Sequence, residues 1–345
     1  MPSPSHSAPS SGSINVYHAA SDIPSKVIAE FEENPVSFNT IYPHFLKCAI
    51  LERSGSSMKG QQVWIVVMSY DPKPTVDLVL SCTENEMGKY PIFIATSRPH
   101  SQLTSSFLEP RIRSLIEELR VDVNDRRVYS IFAPDPIAQC FARLWKAFTG
   151  IDSYREPYYA AKLTSCTSTT FRNPSPTVDS SLQFKLRPAV EGDEHAVARL
   201  CYGFASESDP FFLEQKGALL EASILIRNRT VWIHEVIRPN GEIETACLVA
   251  FTRNSDTMST ITKVYTNPNT RGMGCAQRLM RRVCEHLFES KTKVALYVAH
   301  NNPSASKVYH NVGFIGLDGD DGPTEGVEHW IEYGFDREKV DLGHW

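Results

Sequence analysis

The sequence has no run near the roughly 18 apolar residues that cross a bilayer, and its first residues lack the basic and apolar regions of a signal peptide. A cytoplasmic setting with no membrane partner is the expectation. Cysteine pairing is missing too. Cys48, Cys82, Cys140, Cys166, Cys201, Cys247, Cys275 and Cys284 include no C-x-x-C pair and have no local His cluster, so neither a metal site nor a disulfide framework is expected. Most should be buried, reduced thiols, since a free cysteine behaves as a small hydrophobe. There is no excess of positive charge: 35 Lys and Arg face 40 Asp and Glu, a net charge of -5. This argues against a nucleic-acid partner held by a broad basic surface.

What is present is ordinary globular material, 41% apolar and 22% charged over 345 residues. That length exceeds what one core usually organises, so two domains are expected. Residues 1–13 are rich in Ser and Pro, with no large apolar residue after Met1, and read as a disordered tail. Residues 164–181 concentrate Ser, Thr and Pro and read as a linker. Between them, 14–163 reads as a mixed α/β domain: β-branched runs at 63–68, 76–82, 91–96 and 128–133 predict strands. Helical spacing joins Leu108, Ile112, Leu115, Ile116 and Leu119, and again Ile137, Phe141, Leu144, Trp145 and Phe148 before Gly150.

The remaining domain, 182–345, opens with a strand at 184–187 and a helix whose face carries Val197, Leu200, Cys201 and Phe204. Strands are then expected at 230–236, 244–252 and 258–266, the first two joined by Pro239, Asn240 and Gly241. The last strand ends at Val264, Tyr265 and Thr266. The chain continues through Arg271, Gly272, Met273, Gly274, Cys275 and Ala276 into a helix with Leu279, Met280, Val283 and Leu287 on one face. Helix N-termini carry unpartnered N–H groups and favour negative charge, so glycines placed there let backbone alone hold a pyrophosphate. Taken alone, two glycines before a helix also read as an ordinary loop.

A second element follows. An apolar strand at 293–298 runs into His300, Asn302, Pro303, Ser304, Ala305 and Tyr309, closing with Gly313 and Phe314. Asn302 suits the N-cap, Pro303 the first helical position and Gly313 the stop. Ala305 and Tyr309, four apart, share a face. By itself Tyr309 reads as a packing tyrosine.

Together these segments resemble the GNAT N-acetyltransferase superfamily. Arg271, Gly274 and Ala276 match its R/Q-x-x-G-x-G/A segment, and Asn302, Ala305, Tyr309, Gly313 and Phe314 match N-x-x-A-x-x-x-Y-x-x-x-G-F. The resemblance is strongest over 264–315 and extends to about residue 182. It implies an α/β GNAT fold in the C-terminal half and acetyl-CoA, or another short acyl-CoA, as donor. Val264, Tyr265 and Thr266 would meet the pantetheine arm, and 271–276 would cradle the pyrophosphate. Asn302, also a catalytic candidate, would help fix the cofactor or the final helix, Ser304 and Tyr309 would contact the cofactor, and Tyr309 would act as general acid. The chain also looks like a two-domain subgroup whose N-terminal half is a degenerate GNAT-like fold. Neither motif occurs in that half.

The implied reaction is direct attack by an amine, more readily that of a small molecule than of a protein, in a ternary complex. Cys275, inside the phosphate loop, suits backbone contact better than nucleophilic work. The amine must lose a proton. Residues 258–266 contain no Asp or Glu, which leaves Glu207, Asp209, His234, Glu235 or water as the base. His300 and the aromatics Phe211, Phe212 and Trp232 are weaker candidates for proton transfer and for the acceptor pocket, respectively. A different class of protein, a non-catalytic acyl-CoA-binding regulator or scaffold of GNAT fold, fits the missing carboxylate.

Overall fold

The structure, a computed structural model, describes residues 12–70, 73–173, 183–208, 210, 212–319, 322 and 324–343. The chain forms two compact units, Met1–Pro157 with Ile331–Trp345, and Tyr158–Trp330.

In the first unit the strands are β1 (Gly12–Tyr17), β2 (Gln62–Ser69), β3 (Thr75–Asn85), β4 (Gly88–Lys89), β5 (Ile92–Ala95) and β6 (Ser130–Pro134). Its helices are α1 (Ser25–Glu33), α2 (Tyr42–Arg53), α3 (Ser105–Asp122) and α4 (Asp135–Thr149). The order β1-β2-β3-β5-β6 is antiparallel except for the parallel β5–β6 pair. The expected strands and both expected helices are present. Buried on both faces, β2 reads as a continuous apolar run, and β3 is buried likewise although it carries Asp77 and Ser81. The sequence reading did not find α1 or α2. In α2, Tyr42, Pro43, His44, Phe45 and Cys48 are all buried, so no apolar stripe of helical period stands out.

Two expected boundaries move. Gly12 and Ser13, placed in the tail, pair with Ser69 and Met68 as the start of β1. Backbone pairing needs no apolar side chain, so composition conceals it; residues 1–11 lie outside the described residues. The expected linker 164–181 begins inside strand β7 (Tyr159–Thr167), with Thr164 and Cys166 fully buried. Threonine favours strands as well as loops. Pro174 and Pro176 fall outside the described residues. At the other end, Phe335 is buried against Phe141 and Trp145, at ring distances of 6.4 and 6.0 Å, which ties the C-terminal residues to the first unit.

The second unit holds β7, β8 (Gln183–Pro188), α5 (Glu194–Ser206), α6 (Gln215–Arg227), β9 (Val231–Ile237), β10 (Ile243–Ala250), β11 (Arg253–Asn254) and β12 (Met258–Ile261). It continues with β13 (Lys263–Thr266), α7 (Cys275–Leu287), β14 (Lys293–Ala299) and α8 (Pro303–Val312), and β15 (Glu328–Gly334) carries the chain onward. Strands run β7-β14-β12-β11 in one group and β13-β10-β9-β8 in another. The apolar face of α7, Leu279, Met280, Val283 and Leu287, packs against β9 and β10 through Trp232, Val236 and Cys247. All eight cysteines are free and buried. Among the described residues no helix is long and apolar enough to cross a membrane.

The strand expected at 258–266 is broken at Thr262. Met258–Ile261 pairs in parallel with β14, whereas Lys263–Thr266 pairs antiparallel with β10. Thr262 turns its N–H to the Ala250 carbonyl at 2.8 Å and its hydroxyl to that of Thr252 at 3.0 Å. The two halves therefore join different strand groups, and this break positions the site.

Candidate functional site

Beyond the register pair Ile261 and Leu296, β14 continues with β7 while β13 follows β10. Among the described strands, β13 has a partner on one edge only. The other edge of 264–266 has no strand partner among the described residues, and Arg271 Nε donates to the Thr266 carbonyl at 3.2 Å. Tyr265 is buried against α5, where its ring takes the space beside Gly203. A β-carbon on Gly203 would stand 2.6 Å from the ring. Gly203→Ala is therefore expected to lower stability by about 1–3 kcal/mol, the usual cost of overpacking, measured as a fall in the urea midpoint.

Thr270, buried, fixes the next turn by donating to the Ala246 carbonyl at 3.2 Å. The loop then uses two left-handed glycines, Gly272 at φ 81° and Gly274 at φ 72°. Gly274 is the N-cap of α7 and has no side chain to take the first N–H groups. A β-carbon on Gly272 would meet nothing within 4 Å, so the space above the loop is open. The Cys275 side chain turns inward, and burial raises its thiol pKa. What the loop offers outward is main chain at the positive end of a helix.

Sequence reasoning missed Arg278. One turn after Gly274, its guanidinium folds back to donate to the Met273 carbonyl at 2.7 Å and to His234 Nε2 at 3.2 Å, stacked 4.8 Å over Phe184. It adds a full positive charge to the α7 N-terminus. The four-residue spacing from Gly274 was the available signal.

In α8, Asn302 Oδ1 accepts from the Ala305 N–H at 3.0 Å, Pro303 opens the helix, and Gly313, at φ 118°, ends it. Asn302 thus caps the helix, and Ser304 is exposed beside it. The Tyr309 ring is buried and meets Phe314 edge-on at 6.0 Å. Its hydroxyl has no hydrogen-bond partner among the described residues. Burial, then the nearby Cys247 thiol, raises its pKa well above the ordinary phenol value. Cys247 pairs in register with Thr266, whose hydroxyl donates to its sulfur at 3.3 Å. The fold therefore brings Tyr309 to the end of β13 through Cys247, a residue that no motif marks.

The base candidates are mostly engaged elsewhere. His234 is fully buried, with Nε2 taken by Arg278 and Nδ1 without a partner, and burial followed by the Arg278 charge lowers its pKa to about 4. Glu235 accepts from Arg187 at 3.2 and 2.6 Å. Glu207 accepts from Arg271 Nη2 at 2.6 and 2.9 Å and from the Tyr265 hydroxyl at 3.0 Å. Asp209 and Phe211 lie outside the described residues. His300 is exposed with its ring stacked on His329 at 5.1 Å, Trp232 packs toward α7 beside Arg282 and His286, and Phe212 is 74% exposed.

The first unit repeats the order of parallel strand, helix, parallel strand, helix in β5, α3, β6 and α4. Its chemistry differs. The N-terminus of α3 is capped by the Thr104 hydroxyl, which accepts from the Phe107 N–H at 3.4 Å, where α7 has a glycine. In α4, Asp135, Pro136 and Ala138 reproduce the spacing of Asn302, Pro303 and Ala305, but Ala142 stands at the position corresponding to Tyr309. Among the described residues of this half, α3 has no glycine N-cap and α4 has no phenol at the corresponding position.

The sequence model of the FR47-like protein family matches residues 241–320, which include both motifs. No curated relative matches the sequence. A tandem GNAT protein from the clavulanic acid biosynthesis pathway is similar in structure, with 12% identity, 93% of this chain and 98% of that chain covered, and a TM-score of 0.50. A GCN5-related N-acetyltransferase from Sphaerobacter thermophilus gives 12% identity, 95% and 98% coverage and a TM-score of 0.51. A Drosophila protein gives 10% identity, 92% and 97% coverage and a TM-score of 0.57. These similarities span both units, and the chain has the GNAT fold, matching a tandem protein of that superfamily along nearly its whole length.

Proposed function

We propose that the second unit transfers an acetyl or other short acyl group from CoA to the amine of a small molecule, in the cytoplasm. The observation that carries this reading is the left-handed, uncapped glycine N-terminus of α7, next to the one-sided edge of β13 and the unpartnered Tyr309 hydroxyl. The residues fit the donor: 271–276 and Arg278 suit the pyrophosphate, and the free edge of 264–266 suits the amide-rich arm. Bound there, acyl-CoA would supply an activated thioester.

The chain's own part is to hold and protonate. Tyr309, a phenol and so neutral at physiological pH, has a proton to donate to the departing sulfur. Asn302 and Ser304 act at the start of α8, the first by fixing the helix that carries Tyr309. His234 and Glu235 are held in internal contacts and Glu207 by Arg271, which supports water as the proton acceptor for the amine. Direct attack accords with the inward-turned, raised-pKa thiol of Cys275.

The missing acid on 258–266 favours a second reading, a regulator that binds acyl-CoA without turnover. Thiol release from acetyl-CoA across a panel of primary amines separates them: amine-dependent release is expected, whereas binding without release would support the regulator. Calorimetry on the full chain should give one acetyl-CoA per chain. A second stoichiometric site would show that the first unit, despite Thr104 and Ala142, also holds the donor.

A further inference from the structure

The loop that would meet the donor is tied to the far end of α5 by one guanidinium. Arg271 Nη2 reaches both oxygens of Glu207 at 2.6 and 2.9 Å, and Nε donates to the Thr266 carbonyl at 3.2 Å. The same guanidinium lies 5.5 Å over the Tyr265 ring, and the Tyr265 hydroxyl donates to Glu207 at 3.0 Å. The contact therefore spans three elements: the phosphate loop, the end of β13 and the C-terminus of α5. It is also exposed, with side chains 48% and 51% accessible, so solvent screens it and little energy opposes its exchange.

We infer that Glu207 is a positioning residue which competes with the donor for Arg271. Resting on the donor-site reading above, this states that the guanidinium passes from the carboxylate to the pyrophosphate when acyl-CoA binds. A pyrophosphate offers more negative charge and several oxygens that an arginine fork can pair with two at a time, in preference to one screened carboxylate. Glu207 is then left with the Tyr265 hydroxyl alone beside the strand end where the acyl arm would lie. The change is donor-dependent, because in the structure Arg271 is the cation that holds the carboxylate. Arg278, held by Met273 and His234 instead, does not take part in this exchange.

The test is a double-mutant cycle on acetyl-CoA affinity, measured by calorimetry on the full chain. Glu207→Gln keeps the shape of the side chain but weakens its hold on Arg271, so acetyl-CoA should bind about two- to fivefold more tightly, the range set by an exposed ion pair. Arg271→Ala should bind more weakly than wild type. In the Arg271→Ala background the Glu207→Gln gain should vanish. A gain that persists there would reduce the effect to general repulsion between Glu207 and the anionic donor, and overturn the exchange. Weaker or unchanged binding by Glu207→Gln alone would make Glu207 a fixed support for Arg271 and overturn it as well. Failure of the wild-type chain to bind acetyl-CoA is a separate outcome that removes the donor-site reading itself.

Discussion

Tyr309→Phe is expected to lower kcat by about 10²–10⁴-fold, the usual contribution of a positioned general acid, with acetyl-CoA affinity and melting temperature close to wild type. The ring, which packs on Phe314 inside the α7 and α8 core, is retained. What is lost is a hydroxyl with no hydrogen-bond partner among the described residues, so its removal leaves no buried group newly unsatisfied. A phenol is protonated throughout the neutral range, and burial moves its titration further to the alkaline side. The acid limb of a pH–rate profile therefore should not belong to Tyr309, and any alkaline fall should lie well above the ordinary phenol pKa. Parallel measurement of turnover, affinity and melting on one preparation decides the matter: wild-type turnover in the Phe variant would leave Tyr309 a packing residue.

Gly274→Val is expected to abolish the thermal stabilisation that acetyl-CoA gives the wild type. A ligand specific for the native state adds about 2.7 kcal/mol at a hundredfold excess over Kd, which is a shift of several degrees. The substitution acts twice. A left-handed residue with a β-carbon costs about 1–2 kcal/mol, and a β-branched one resists that conformation further. Its β-carbon would also stand 3.0 Å from the Arg278 guanidinium, displacing the charge that reinforces the helix N-terminus. The ligand-free variant should thus melt slightly lower and remain folded, because α7 is held mainly by Leu279, Met280 and Val283. Undiminished stabilisation by acetyl-CoA in this variant would remove the 271–276 loop from the donor site.

Much of the fold was legible because it rests on local pattern. The face of α3 repeats every three to four residues, and Leu108, Ile112, Leu115, Ile116 and Leu119 are buried as that period requires. Turn chemistry was equally plain: Gly150 and Gly313 end helices in the left-handed conformation, and Asn302 caps α8 through its own side chain. The helix α2 was hidden by apolar residues on all sides. The start of β1 was hidden by serines whose contribution is backbone pairing.

At the site, sequence alone determined the glycine loop, its place before an amphipathic helix, and the small residue one turn before Tyr309, since each follows from conformational preference over a few neighbouring positions. Tertiary structure decided the rest. It broke the strand at Thr262, because Lys263–Thr266 gains its partner from β10 and Met258–Ile261 from β14, tens of residues away in opposite directions. It turned His234 and Glu235 into internal groups by setting Arg278 and Arg187 against them. It ended the first unit at Pro157, just before β7, because β7 takes its partner from β14, far along the sequence. Periodicity reports which face a residue takes on its own element; which distant element meets that face is fixed only when the whole core packs.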